Sequence, residues 1–242
     1  DSKDISAVTM NRGCSGKCTF CSNSFMWAGR SNFRTRESII AELTELLDVW
    51  KIEKHISVGD ETFNEVPKEA MRIAKILKDF GLNWQACARW NIKKDLLESF
   101  IDSGCTEILL GLESGTDKAL RYMKKGCNTR LIREKAKMIN SLGIKWHLFC
   151  IAGFPVETVE DIEATMELAL EIQPSSISLN SFSPLPGTEA YKRIPGMTPE
   201  FASTLNQLNP NHCFSEYMDL QTFKDIFAKM LSVFDDYNNR NR

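Results

Sequence analysis

The sequence lacks the features of a membrane-anchored or secreted protein. None of its 242 residues belongs to an apolar run of about 18, the length that a membrane-spanning helix needs. The first four residues, Asp-Ser-Lys-Asp, are polar and do not resemble a signal peptide. The formal net charge is only −2, which leaves no overall electrostatic footprint for nucleic acid. We therefore expect a cytoplasmic protein with no membrane partner and no clear nucleic-acid partner.

Histidine is scarce, whereas cysteine is frequent. None of the three histidines (His55, His147, His212) is paired with another ligand at the spacing of a zinc site. Of the eight cysteines, three lie close together in the chain. The other five are scattered: Cys87, Cys105, Cys127, Cys150 and Cys213. A disulfide-bonded scaffold is normally shorter and poorer in apolar patterns, so we expect reduced thiols.

Segments typical of strands alternate with segments typical of helices. The predicted strands are Ile5–Thr9, His55–Val58, Asn83–Ala88, Glu107–Leu112, Lys145–Ala152 and Ser176–Phe182. Apolar residues at helical spacing follow each strand, and several of these helices end at a glycine. Such alternation predicts an α/β fold, in which crossover helices cover a parallel sheet.

Polar residues share one face of some predicted strands. Gln85, Cys87 and Arg89 lie on one face of the third strand, and Ser178 and Asn180 share a face of the sixth. A parallel sheet covered on both faces would be apolar almost throughout. Two interpretations stay open. The strand ends are simply solvated, or the sheet curves around a polar cavity at its carboxyl edge, where barrel enzymes build active sites.

The clustered cysteines lie in a loop, residues 10–35, directly after the first strand. Cys14, Cys18 and Cys21 have the spacing C-x3-C-x2-C, and thiolates are the usual ligands of iron–sulfur clusters. A [4Fe–4S] cluster needs four ligands, so three cysteines leave one iron open to another molecule. Zinc is the alternative, but it would need a fourth ligand, for which Cys127 or Cys213 is available.

This loop, with Phe20 before its last cysteine, resembles the radical S-adenosylmethionine (SAM) superfamily, and the resemblance extends from about Val8 to Tyr191. It implies a partial (β/α)6 TIM-like barrel, a parallel sheet with outer helices. It also implies that the open iron binds SAM. An electron from the cluster would then cleave SAM into methionine and a 5′-deoxyadenosyl radical, which abstracts hydrogen from a substrate. Such an enzyme needs a low-potential electron donor, such as flavodoxin or ferredoxin.

The resemblance indicates candidate cofactor-binding residues but no catalytic side chain. They are Phe20, Gly59, Asp60, Glu61, Arg89, Glu113, Ser114, Gly153 and Pro184. The segment 59–61 departs from the common form of its motif, which has two glycines and a glutamate. Structural roles are the alternatives: caps and turns for Asp60, Glu61, Glu113 and Gly153, loop packing for Phe20, and an ion pair with Asp95 for Arg89.

The segments 27–36, 60–63 and 111–115 resemble the branch of the superfamily whose members often carry a cobalamin-binding domain before the barrel. This branch includes many methyltransferases, so cobalamin-dependent methyl transfer is one expected activity. No Asp-x-His-x-x-Gly signature occurs in the sequence, so a domain outside this chain would have to bind the cobalamin. Methylthiolation and cyclisation or rearrangement are alternatives within the superfamily. A non-catalytic zinc or iron–sulfur binding module is the alternative outside it.

The expected domain organisation is a radical SAM barrel over residues 1–193 and a C-terminal extension over residues 194–242. The segment Gly187–His212 is rich in proline, asparagine and threonine and predicts irregular structure. Leu220–Tyr237 predicts an amphipathic helix packed on the barrel, followed by a polar tail that frays. The chain starts almost at its first predicted strand, as we expect for one domain of a longer protein.

Overall fold

The computed structural model describes residues 6–241, so Ile5 of the first predicted strand lies outside the described residues. The strands are β1 Ser6–Val8, β2 Asn11–Arg12, β3 Asn32–Phe33, β4 His55–Val58, β5 Asn83–Ala88, β6 Cys105–Glu113, β7 Lys145–Ala152 and β8 Ser176–Ser181. The helices are α1 Asn23–Met26, α2 Arg36–Asp48, α3 Pro67–Asp79, α4 Lys94–Asp102, α5 Asp117–Tyr122, α6 Thr129–Leu142, α7 Val159–Glu171, α8 Glu189–Arg193, α9 Pro199–Ser203 and α10 Leu220–Arg240.

Six strands form one parallel sheet in the order β1-β4-β5-β6-β7-β8. This order follows the chain, because each strand is joined to the next by a helical connection that returns along the outside. On β7, Trp146, Leu148 and Cys150 are buried, whereas the alternating His147 and Phe149 are half-buried. This alternation puts one face of the sheet against the helices and the other towards the interior. The predicted α/β fold with a partial (β/α)6 barrel is confirmed.

The long loop between β1 and α2 has structure of its own. The strands β2 and β3 pair antiparallel, with Asn11 opposite Phe33 and Arg12 opposite Asn32. The short helix α1 lies between them. The three clustered cysteines therefore lie on a loop whose two ends are held together by a small ribbon.

The expectation of irregular structure over Gly187–His212 was wrong in two places, where α8 and α9 form. Thr188 and Thr198 cap these helices, each accepting a hydrogen bond from a backbone N–H three residues later. A threonine followed by Pro199 and Glu200 is a helix-start signal that the sequence already contained.

The final helix α10 packs beside β8 and α7 and continues to Arg240 rather than fraying after Tyr237. Its buried face consists of Phe223, Ile226, Phe227, Met230 and Phe234. Asn238 explains the extra length. Its Oδ1 accepts from the backbone nitrogen of Ile177 at 2.8 Å, and its Nδ2 donates to the carbonyl of the same residue at 2.8 Å. The helix end is therefore bound to the free edge of β8.

Within residues 6–241, no helix combines the length and apolar character that crossing a membrane demands.

Candidate functional site

A cavity of about 320 Å³ opens at the carboxyl ends of the parallel strands. It is lined by Cys14, Gly16, Cys18, Phe20, Cys21, Asn23, Glu61, Thr62, Cys87, Ala88, Arg89, Leu109, Gly111, Glu113, Lys125, Phe149, Ile151 and Asn180. All three clustered cysteines reach it from the β1–α2 loop. Cys87, Arg89 and Asn180 reach it from the strands, which agrees with the second interpretation of the polar strand faces.

Three carboxylates after β4, those of Asp60, Glu61 and Glu65, hold the backbone of the cysteine loop; we call them the carboxylate clamp. Oδ1 of Asp60 accepts from the backbone nitrogens of Met10 at 2.6 Å and Asn11 at 2.8 Å. Glu61 accepts from the nitrogen of Gly13 at 2.9 Å, and Glu65 accepts from that of Ser15 at 3.0 Å. Four backbone N–H groups at the start of the loop are therefore paired.

Asp60 is the most buried member of the clamp. Its burial raises the carboxyl pKa to about 6, against the opposing effect of the two backbone N–H donors. It lies behind the loop and does not line the cavity. Its geometry is that of a support for the loop.

Polar groups surround the sulfur of Cys14, which itself donates to Oε2 of Glu65 at 3.9 Å. The backbone nitrogen of Gly16 donates to Sγ at 3.3 Å, and the hydroxyl of Thr62 lies 3.4 Å from the same atom. Burial raises the pKa of the Cys18 thiol, and the positive charge of Lys125 opposes that rise. A bound cation would offset the desolvation of this thiolate.

Lys125 and Glu113 form an ion pair at the cavity wall, with an Nζ–Oε1 distance of 2.5 Å. Their side chains are only 16% and 9% exposed. Burial opposes the charge on Lys125, but Glu113 and Cys18 together raise its pKa. The ammonium also lies 6.0 Å from the ring centre of Phe20. This lysine was not predicted from the sequence, because no spacing rule relates a residue after α5 to the end of β6.

Two backbone features make room for this ion pair. Glu113 has a φ of 64° and follows an irregularity in the pairing of β6 with β7. A Cβ added at Gly111 would lie 2.0 Å from Oε1 of Glu113 and 2.6 Å from Nζ of Lys125. A side chain at position 111 would therefore displace the charged ends of Glu113 and Lys125. A non-glycine residue at positive φ is strained, and such strain gathers at functional sites.

Arg89 lies between the cysteine loop and the segment after α5. Atoms of its guanidinium group would lie 3.2 Å from a Cβ at Gly16 and 3.3 Å from one at Gly126. Asn64 fixes its backbone by accepting from its nitrogen at 2.8 Å and donating to its carbonyl at 3.2 Å. In the described part of the chain its side chain forms no ion pair, and the alternative pairing with Asp95 does not occur.

A second buried carboxylate, Glu157, joins the ends of β6 and β7. Its Oε1 accepts from the hydroxyl of Ser114 at 2.8 Å. Its Oε2 accepts from the backbone nitrogens of Gly153 at 2.9 Å and Phe154 at 3.0 Å. Burial raises its pKa to about 7, and these donors oppose the rise. Ser114 and Gly153 are thus held in one network behind the cavity wall.

The structure separates the predicted site residues into two groups. The three cysteines, Phe20, Glu61, Arg89 and Glu113 line the cavity, whereas Gly59, Asp60, Ser114, Gly153 and Pro184 do not. Gly59 continues the pairing with β1 by donating to the carbonyl of Val8 at 2.9 Å. The cofactor contacts of the second group stay predictions.

The donor set at the cavity fits an iron–sulfur cluster better than a zinc ion. Zinc needs its ligands on one atom, and no three His, Cys, Asp or Glu side chains of residues 6–241 are placed to hold a single ion. A cubane cluster takes one thiolate per iron, so its ligands stand apart around it. Cys14, Cys18 and Cys21 border one cavity without converging on one point, and no histidine lines it.

Comparisons with known proteins agree with this geometry. The family model described as "Radical SAM superfamily" matches residues 8–169. Cytidylyl-2-hydroxyethylphosphonate methyltransferase of Streptomyces wedmorensis is 29% identical over 198 residues, 78% of this chain and 37% of that protein. A tRNA-2-methylthio-N(6)-dimethylallyladenosine synthase of Porphyromonas gingivalis is 27% identical over 210 residues, 80% of this chain and 44% of its own length.

Among solved structures, a radical SAM methyltransferase, TsrM of Kitasatospora setae, with cobalamin and a [4Fe–4S] cluster bound, superposes with a TM-score of 0.68 at 16% identity. The match covers 77% of this chain and 36% of that one. At this identity the likeness shows the fold alone. The chain spans only 36% to 44% of the lengths of these relatives.

Proposed function

Because this chain belongs to the radical SAM superfamily, we propose that it binds a [4Fe–4S] cluster through Cys14, Cys18 and Cys21 and cleaves SAM reductively. The observation that carries this proposal is the placement of three thiols on the wall of one cavity, beside buried positive charge. When bound, the cluster supplies the electron that breaks a carbon–sulfur bond of SAM and so generates the radical that attacks the substrate.

The residues around the thiols position the loop and set the charge of the cavity. The carboxylate clamp holds the backbone of residues 10–15, so the loop around Cys14 does not have to be ordered when the cluster binds. Lys125 and Arg89 place positive charge at the cavity wall, where the carboxylate of SAM is the natural partner. Glu61 and Glu113 provide oxygens for its amino group.

The predicted residues that do not line the cavity belong to segments behind its walls. We assign Ser114, Gly153 and Pro184 to the segments that hold the ribose and adenine of SAM, and Gly59 to the segment that receives its amino group. Glu157 fixes two of these segments to each other. Phe20 packs edge-on against Phe154, with ring centres 5.7 Å apart.

For the whole protein we propose methyl transfer that depends on cobalamin bound by a domain outside this chain. The methyltransferase among the relatives and the cobalamin-bound structural neighbour support this proposal. Methylthiolation is the second candidate, since a methylthio synthase is also among the relatives. A cyclisation or rearrangement has no observation in its favour here.

Electron supply and compartment follow from the same chemistry. Radical SAM enzymes need a reductant, and a flavodoxin or a ferredoxin is our proposed donor. All eight cysteines of the chain are free thiols, a state that the reducing cytoplasm maintains. We therefore propose a cytoplasmic location.

Anaerobic reconstitution with iron and sulfide tests the proposal. The protein should take up about four irons per chain and, with SAM and dithionite, release equal amounts of methionine and 5′-deoxyadenosine. Cys18→Ala should abolish both, whereas Cys213→Ala, a change outside the cavity, should leave both intact. A cluster-loaded protein that releases no 5′-deoxyadenosine, even with candidate substrates, would contradict the proposal. Stoichiometric zinc with no cluster would favour the non-catalytic module.

A further inference from the structure

A second concave surface adjoins the cysteine loop on the outside of the barrel. It encloses about 730 Å³ and is bordered on one side by Ser15, Gly16 and Lys17. The other side is formed by the end of α5 and the segment leading into α6, including Arg121 and Lys124. We call it the loop groove. Two of the proposed cluster ligands, Cys14 and Cys18, immediately flank its first side in the sequence.

The loop groove is positively charged, although the chain as a whole has a net charge of −2. Its lining contains Lys17, Arg89, Arg121 and Lys124 and no aspartate or glutamate. Glu189 partly neutralises Lys124 through a contact of 2.8 Å. Lys17 and Arg121 are exposed, and neither forms an ion pair within residues 6–241. Two unpaired cations therefore face solvent beside the loop.

Negative charge also contacts the cysteine loop, but it lies outside the lining of the loop groove. Glu65 and Glu61 of the carboxylate clamp bind the loop backbone there. A negatively charged protein that approaches the cysteines is repelled on the clamp side and attracted on the groove side. Fields of this kind select the orientation of an encounter and raise association rates by roughly 10- to 1,000-fold.

Arg89 connects the loop groove to the inner cavity. It lines both, and it also lines a third cavity of about 110 Å³, together with Lys125, Gly126 and Cys127. The groove and the cavity with the thiols therefore share a positively charged side chain.

We propose that the loop groove is the docking surface for an acidic electron-transfer protein. This inference rests on the proposed function, since only a redox site needs such a partner. One electron leaves the reduced cofactor of the donor, which is oxidised by one equivalent. The electron enters the cluster, whose charge falls from 2+ to 1+, and no bond forms or breaks in this step.

An RNA is the other macromolecule that such a surface suggests, but the distribution of positive charge disfavours it. Nucleic-acid sites use a long basic stripe that releases many counterions, whereas here four cations line one compact groove. Electron-transfer proteins form complexes that bury little surface area. A compact basic surface beside the proposed cluster site is large enough for such a complex.

The test uses the cluster-loaded protein with two reductants of opposite charge. An acidic flavodoxin serves as the protein donor, and reduced methyl viologen serves as a small cation. The double variant Lys17→Glu, Arg121→Glu reverses the charge of the groove. Lys137→Glu, an exposed position on α6 outside the loop groove, is the matched control.

With flavodoxin at low salt, the double variant should release 5′-deoxyadenosine about tenfold more slowly than the wild type. The difference should shrink as the ionic strength rises, because salt screens exposed charges. With methyl viologen, the double variant should be as fast as the wild type. The control variant should resemble the wild type with both reductants.

A binding measurement separates docking from catalysis. Flavodoxin affinity for the cluster-free protein, measured by titration calorimetry, should fall about tenfold in the double variant and stay unchanged in the control. Equal rates and affinities for the wild type and the double variant would overturn the proposal. A rate in the double variant that falls as much with methyl viologen as with flavodoxin would also overturn it. So would a control variant that loses as much rate or affinity as the double variant. The proposal would also be overturned if a short RNA bound the wild-type groove and the double variant lost RNA binding but kept its affinity for flavodoxin.

Failure of the proposed function has a different signature. A wild-type protein that cleaves no SAM with either reductant would refute the function itself. The calorimetric comparison would then still decide whether the groove binds the acidic protein.

Discussion

Lys125 and Glu113 form an ion pair at the cavity wall, and each stabilises the charge of the other. Both are mostly buried, and a buried charge without its partner is far less stable than the pair. The pair lies within a wall that Gly111 leaves open. Its contribution to SAM binding and its contribution to folding can therefore be separated by removing one charge and then both.

We expect Lys125→Met to lower the free energy of unfolding by about 3 kcal/mol, because it leaves the carboxylate of Glu113 buried and unpaired. The double variant Lys125→Met, Glu113→Gln should regain most of that loss without regaining SAM cleavage. Urea unfolding of the two variants and 5′-deoxyadenosine release check this. A double variant no more stable than the single one would contradict the coupling.

Glu157 should make stability depend on pH. Its pKa in the folded protein is about 7, above the value of about 4.3 for an unfolded glutamate. The folded state therefore holds more protons between those values, and its stability falls as the pH rises through this window. At full effect the difference amounts to about 4 kcal/mol.

Glu157→Gln removes this titration while keeping an oxygen for the two backbone donors. Between pH 5 and 8, the free energy of unfolding of the wild type should fall more steeply than that of the variant. Urea unfolding across the pH range provides the measurement. Parallel curves for the two proteins would show that Glu157 does not titrate in this window.

At the scale of elements, the carboxylate clamp joins the segment after β4 to the cysteine loop. Asp60→Ala would leave the backbone nitrogens of Met10 and Asn11 without their acceptor. We expect the variant to fold but to lose its cluster faster than the wild type, as followed by iron content after gel filtration. Glu69→Ala, a change on α3 outside the clamp, is the control. Equal cluster retention in Asp60→Ala and wild type would argue against the clamp.

The attachment of α10 to β8 also depends on one side chain, that of Asn238. Asn238→Ala removes two hydrogen bonds to Ile177, and we expect the free energy of unfolding to fall by about 2 kcal/mol. Asn239→Ala, at an exposed neighbouring position, should change it by less than about 0.5 kcal/mol. Thermal unfolding distinguishes the two. Similar melting curves for both variants would contradict the anchoring role.

Elements and site residues differ in how far the sequence predicts them. The strands β4, β5 and β7 have the predicted bounds, because apolar alternation and flanking glycines define them locally. The ion pair between Lys125 and Glu113 and the clamp contact of Glu65 were not predicted, since they depend on which loops meet at the sheet edge. Asp60 was predicted to contact SAM, yet its hydrogen bonds are to the loop backbone.

For the whole molecule, family membership was predicted from three cysteines and is confirmed. The boundary at residue 193 stays a prediction, and the packing of α10 argues that both parts fold together. The rings of Phe223, Phe227 and Phe234 are buried, and a Cβ at Gly153 would lie 2.6 Å from the ring of Phe223. The last helix is thus part of the hydrophobic core and not an addition to its surface.

We expect a chain ending at residue 193 not to fold. It would lose the five buried apolar side chains of α10, which contribute about 2 kcal/mol each, and their sum is comparable with the whole stability of a domain. Circular dichroism should show a single melting transition for residues 1–242 and none for the shortened chain. A cooperative transition in the shortened chain would establish residues 1–193 as an independent domain.

The amide of Asn238 has one further consequence, which concerns encounters between molecules. A side-chain amide carries the same donor and acceptor as a peptide group, so at Ile177 it takes the place of one residue of a neighbouring strand. Gln207 adds a second such contact through its carbonyl, which accepts from the nitrogen of Ser181 at 2.6 Å. Open strand edges are templates for aggregation. The last helix and the segment before it therefore protect the β8 edge of the sheet from pairing with another copy of this chain.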